Sequence, residues 1–109
     1  MWIVNGVLAV TVLASVTAYA ADLAAGQRSY EEECKDCHQM NGAAVPSVAK
    51  KMQLQGVTMR DLKAPTVQAK TDAEWKKMIL EGTGKMKAVK ALSAADADNV
   101  VAFMRTLKK

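Results

Sequence analysis

The chain's single histidine and its two cysteines lie in one five-residue run, Cys34-Lys35-Asp36-Cys37-His38. The pattern is C-x-x-C-H, the spacing by which c-type haem is attached. On a helix, residues three and four apart share a face. Cys34 and Cys37 can therefore both reach the vinyl groups on one porphyrin edge and form thioethers. His38 can then bring an imidazole nitrogen to the iron from the same side. No other thiol or imidazole exists in the chain to build a competing site. Three other chemistries use such residues. A thioredoxin-like C-x-x-C redox centre follows a strand in a βαβ unit, and no strand pattern precedes Cys34. A structural disulfide requires an oxidising compartment, which an exported chain would meet. Structural zinc wants four ligands, and this run supplies three.

A histidine-bound haem iron has a second axial position. A thioether there is soft and favours the ferrous state, which raises the potential. Setting Met1 aside, six of the seven methionines are candidates. Met40 is too close to His38 to reach the opposite face. Met78 and Met104 sit on apolar helical stripes and read as core filler. Met86 lies in the glycine-rich run Gly82-Thr83-Gly84-Lys85-Met86, and a loop can lay a ligand across a site at an angle that a packed helix cannot. Met86 is the expected sixth ligand, with Met59 and Met52 as its alternates.

The elements that must position these residues read as all-α, with no alternating strand pattern and no internal repeat. Asp22 is an N-cap candidate for a first helix running toward Cys34. Leu23, Gln27, Tyr30 and Cys34 are expected to share one face, with Gly26 along it. Glu31, Glu32 and Glu33 read as a solvated face. A loop follows over residues 39–46, with Asn41-Gly42 as its turn signal. A short helix is expected over 47–54, broken by Gly56. Residues 58–70, interrupted by Pro65, carry the weakest pattern. Thr71-Asp72-Ala73-Glu74 is a capping box opening a second clear helix, with Trp75, Met78 and Ile79 at core spacing and Gly82 beyond its end. Ser93-Ala94-Ala95-Asp96 opens the last helix in the same way, with Val100, Phe103, Met104 and Leu107 as its apolar stripe.

Residues 1–20 carry no charged side chain and end in Ala18-Tyr19-Ala20. An apolar stretch followed by A-x-A reads as a signal peptide, cleaved after Ala20. No Lys or Arg precedes it, so an uncleaved anchor is the rival, since about 20 apolar residues can span a bilayer. Removing 20 of the 109 residues leaves about 89, read as one domain over 21–109. A protein core of that size is modest. Its aromatic residues are Tyr30, Trp75 and Phe103 alone, so a porphyrin would supply apolar bulk that the chain lacks. The 15 Lys and Arg against 11 Asp and Glu give a net charge of +4. That balance suits an acidic protein partner or an anionic surface. No basic block interleaved with aromatics points to nucleic acid.

Residues 21–109 resemble the class I cytochromes c, particularly small bacterial monohaem members. Gly26 with Tyr30 resembles the glycine and aromatic of the family's first helix, Cys34, Cys37 and His38 its haem motif, and 82–86 its ligand loop. The resemblance implies a cytochrome c fold, three to five helices wrapped around one covalently bound haem c. It implies that Gly26 and Tyr30 pack against Val100 and Phe103 of the last helix. It also implies that the Pro46 carbonyl accepts a hydrogen bond from His38, orienting the imidazole. One departure is Lys87, which stands where the family often has proline after the ligand methionine. The implied role is a periplasmic one-electron carrier, likened to an electron-transfer protein and not an enzyme. Its implied partners are acidic redox proteins such as an oxidase, a reductase or a membrane cytochrome complex, met by a monomer. Lys35, Lys85, Lys87 and Lys90 could steer them. A haem sensor or weak peroxidase with a labile methionine is the alternative.

Overall fold

The computed structural model describes residues 21–107, together with Gly6. The segment read as a signal peptide lies outside the described residues. Among the described residues six helical segments follow in order: α1 (Leu23–Glu33), α2 (Lys35–His38), α3 (Pro46–Leu54), α4 (Pro65–Gln68), α5 (Asp72–Glu81) and α6 (Ala94–Thr106). Two of them, α2 and α4, are single turns, so four longer helices carry the fold. Among the described residues there is no strand, only an isolated bridge between Thr83 and Met86. The all-α expectation therefore holds. No described helix is long and apolar enough to cross a membrane.

Local chemistry sets the boundaries. The Asp22 carboxylate accepts from the Ala25 N–H at 3.0 Å and caps α1. Pro46 and Pro65 open α3 and α4, where a missing N–H costs nothing. Thr71 with Glu74, and Ser93 with Asp96, form complete capping boxes on α5 and α6. Asp96 thus does the work usually given to Glu or Gln, reaching back to the Ser93 N–H at 3.0 Å. Thr71→Ala removes one half of the α5 box. It is expected to cost about 1 kcal/mol and to lower the melting temperature by roughly 4–8 °C, read by far-ultraviolet circular dichroism.

The packing is built on two contacts of α6, with α1 and with α5. Gly26 makes the first one possible. A Cβ there would lie 2.0 Å from the Asn99 carbonyl oxygen and 3.3 Å from the Phe103 Cβ. Asn99 also accepts from the Asp22 N–H through its side chain at 3.0 Å. One turn further along α1, the Tyr30 ring meets Phe103 with centroids 5.0 Å apart and planes tilted by 56°. Val100 is fully buried in the same cluster. The buried edge of α1 is therefore Gly26, Tyr30 and then Cys34. Leu23 and Gln27 are exposed, because the close approach at Gly26 decides which edge faces α6.

Arg105 ties α6 to the chain around α4 and α5. Its guanidinium donates to Asp72 Oδ1 at 2.8 Å and to the Gln68 carbonyl at 2.6 Å. The same group stacks 3.9 Å from the centroid of the Trp75 ring, and Trp75 and Ile79 anchor α5 in the core. The α3 helix differs from the rest. None of its residues is buried, and Leu54 at its end is 83 % exposed.

Candidate haem site

Cys34 is where α1 hands over to α2. Its N–H donates to the Tyr30 carbonyl at 2.8 Å, and its own carbonyl accepts from Cys37 and His38 at 3.2 and 2.9 Å. The one-turn helix that results sets Cys34, Cys37 and His38 at the three- and four-residue spacings that share a face. The loop returns over them, since the Val45 N–H donates to the Cys37 carbonyl at 2.9 Å. Both cysteines are free thiols, Cys34 buried and Cys37 exposed. The disulfide reading is thus not realised. Among the described residues no three His, Cys, Asp or Glu side chains gather as a metal set, which also leaves zinc without support.

Burial decides the protonation of this run. It pushes the Cys34 thiol up to about 11, helped by the Glu33 carboxylate and by Cys37. Cys34 is therefore a neutral thiol at ordinary pH. Burial lowers the His38 pKa below its usual value, so the imidazole stays neutral and keeps a lone pair for a metal. The Tyr30 phenol is pushed well up, chiefly by burial, then by Cys34 once that thiol has ionised, and by Asp61.

His38 Nδ1 is buried and has no hydrogen-bond partner among the described residues. The bond to the Pro46 carbonyl implied by the family resemblance is therefore not made. In this structure Pro46 starts α3 as its exposed first residue.

Met86 is half-buried in a closed turn. Its N–H donates to the Thr83 carbonyl, and its carbonyl accepts from the Thr83 N–H, both at 2.9 Å. Gly84, with φ at +53°, takes the first corner of this two-residue turn. Gly82, at φ +80°, lies so close to the returning chain that a Cβ would sit 2.7 Å from the Met86 carbonyl oxygen. The Val89 N–H then donates to the Ile79 carbonyl at 2.8 Å and fastens the loop to α5. Met40, Met78 and Met104 belong to the core or pack against it. Met52, Met59 and Met86 are half-buried and do neither, as are Val45, Val48 and Val57.

These residues fit a haem. There are two free thiols and a neutral imidazole on one short turn. A set of half-buried apolar side chains lies outside the protein's own core. One helix, α3, buries none of its residues against protein.

The family model for cytochrome c matches residues 23–108. The chain belongs to the cytochrome c family. Among solved structures it is similar to the KustC0563 c-type cytochrome, at 26 % identity and a TM-score of 0.64. That match covers 77 % of this chain and 98 % of the other. No curated protein matches the chain. The protein is thus a small class I c-type cytochrome in the all-α cytochrome c fold. Cytochromes c hold haem c covalently and transfer electrons through it, and Cys34 and Cys37 have the spacing for that attachment.

The sequence reading missed one group at this site. The Tyr30 hydroxyl donates its one proton to the Gln39 carbonyl at 2.6 Å, with the His38 carbonyl a longer 3.3 Å away. No local signal marks it, because an aromatic on a helical stripe reads the same with or without its hydroxyl.

Proposed function

We propose that this cytochrome is a diffusible one-electron carrier with a single haem c, bound by thioethers to Cys34 and Cys37. His38 is its proximal iron ligand and Met86 its distal one. When bound, the haem supplies a one-electron Fe(II)/Fe(III) couple. The protein's part is to hold both axial positions, exclude water and tune the potential. The observation that carries the reading is the pairing of the C-x-x-C-H turn with a methionine held outside the core. Met86 sits in a loop closed by its own backbone, so its thioether is presented by a rigid support. Such fixation supports a filled sixth position over the sensor or peroxidase reading, despite Lys87 in place of proline.

Lys85, Lys87 and Lys90 flank Met86, are exposed, and make no ion pair among the described residues. They favour acidic redox partners, whose association would be fast and salt-sensitive. Lys35 is less available, since it lies 4.0 Å from Glu31. Export to the periplasm with cleavage after Ala20 is the compartment this chemistry needs, and a mature N-terminus at Ala21 would establish it.

The deciding experiment is the optical spectrum of protein exported with a cytochrome c maturation system. We expect haem that resists acid-acetone extraction, sharp reduced bands and the weak far-red band of a methionine–iron bond. Haem without that band, with carbon monoxide binding to the ferrous form, would replace the carrier with the open-site reading. Absence of haem would overturn the proposal.

A further inference from the structure

We propose that the outward side of α3, formed by Lys50, Lys51 and Leu54, is a docking surface for an anionic lipid bilayer, by which the protein is held reversibly against a membrane. The inference goes beyond the carrier reading and does not depend on which residue is the sixth ligand. It begins with the division of α3 into two sides. Successive residues of a helix turn by about 100°. Val48, Ala49 and Met52 therefore fall together, and all three are half-buried. Lys50, Lys51 and Leu54 fall on the other side, and all three are exposed. Leu54 lies opposite the middle of the half-buried side, so a haem packed there would leave it uncovered.

Leu54 is 83 % exposed. A lone exposed leucine needs no explanation by itself, but this one has charged company. From residue 37 to residue 60 the chain carries no Asp or Glu, while Lys50, Lys51 and Arg60 are positive. All three are exposed and make no ion pair among the described residues. Asp61, the first acid that follows, lies 3.9 Å from the Lys63 ammonium. The lysines around Met86 have no exposed large apolar neighbour, so the two basic surfaces differ in kind.

The composition of this side favours lipid over protein. Protein interfaces are depleted in lysine, rely on aromatic and arginine side chains, and take about 800 Å² from each partner. One side of a nine-residue helix offers none of this. Ammonium groups on long apolar stems beside a protruding leucine match a headgroup layer instead. Lipid phosphates would take the ammonium groups, and Leu54 would enter the acyl boundary between them. Each lysine near an anionic surface strengthens attachment about fivefold. Two lysines and one leucine therefore give binding that is weak and reversible.

The test is co-sedimentation of the haem-loaded protein with vesicles at low ionic strength. One set contains phosphatidylglycerol and phosphatidylethanolamine, the other phosphatidylcholine alone. We expect binding to the anionic set that high salt abolishes, and none to the neutral set. Lys50→Gln with Lys51→Gln should weaken binding about 30-fold. Lys70→Gln with Lys77→Gln removes the same charge from another part of the surface and should weaken it by no more than about threefold. Leu54→Ser should weaken it about tenfold, and Leu54→Trp should strengthen it, a gain that a badly folded chain cannot mimic. Equal losses in the two lysine pairs would overturn the proposal, because net charge alone would then account for binding. A parent that stays in the supernatant would overturn it too. So would binding that resists salt, which would assign attachment to the residues before Ala21. Sedimentation reads none of the axial ligation, so a failure here and a failure of the carrier reading are told apart by the optical spectrum.

Discussion

Gly26→Ala is expected to lower the melting temperature of the haem-loaded protein by roughly 15 °C, corresponding to about 3 kcal/mol. Two effects compete. Alanine is the better helix former, by about 1 kcal/mol. Against that, the new Cβ would sit 2.0 Å from the Asn99 carbonyl oxygen and 2.6 Å from its carbon. These are backbone atoms in the middle of α6, so no side chain can swing aside. The two helices must separate, and the Tyr30–Phe103 stack and the Asp22–Asn99 bond open with them. A net stability of about 5–15 kcal/mol makes such a loss a large fraction of the whole. A Gly26→Ala variant melting within about 2 °C of the parent would show that α1 and α6 do not cross at this point.

That contact also shows what could be read in advance. The capping boxes of α5 and α6 were legible because each is a local bond between residues three apart. The inner face of α1 was not. Leu23-Gln27-Tyr30 and Gly26-Tyr30-Cys34 both satisfy a helical period, and periodicity alone cannot choose between them. The choice is made by Asn99, 73 positions from Gly26, whose carbonyl tolerates no side chain opposite it. The α4 turn was hidden for a different reason. It is four residues long, begun by Pro65, and holds one buried residue, Val67. Too little apolar surface is involved to leave a pattern.

At the haem site the split follows the same logic. Cys34, Cys37 and His38 announce themselves because the proposed attachment depends on their spacing alone. The Met86 loop was visible as a glycine-rich run, although its closing pair of bonds to Thr83 was not. At Pro46 two rules meet at one residue. The resemblance made it a hydrogen-bond acceptor, while proline's own preference made it the first residue of a helix. The Tyr30 hydroxyl went unseen because its acceptors are backbone carbonyls, and every residue offers those.

Met86→Ala separates the two tasks that Met86 is given. Its backbone closes the turn with Thr83, and both of those bonds survive the substitution because they use only N–H and C=O. Gly82 and Gly84 keep their positive φ, and Val89 keeps its bond to Ile79. The loop should therefore stand, and only the thioether is lost. We expect covalent haem to be retained, the far-red band to vanish and the ferrous protein to bind carbon monoxide. The preference for the reduced state should fall on the order of 100-fold, or about two 59 mV steps for a one-electron couple, because the soft ligand is gone. Met59→Ala and Met52→Ala test the alternates. Both residues are half-buried and outside the core, as Met86 is, so exposure alone does not distinguish the three. What distinguishes Met86 is a support that cannot follow the side chain away. Loss of the far-red band in Met59→Ala or Met52→Ala, with Met86→Ala unchanged, would move the sixth ligand to that residue. The closed turn would then be left with a structural role only.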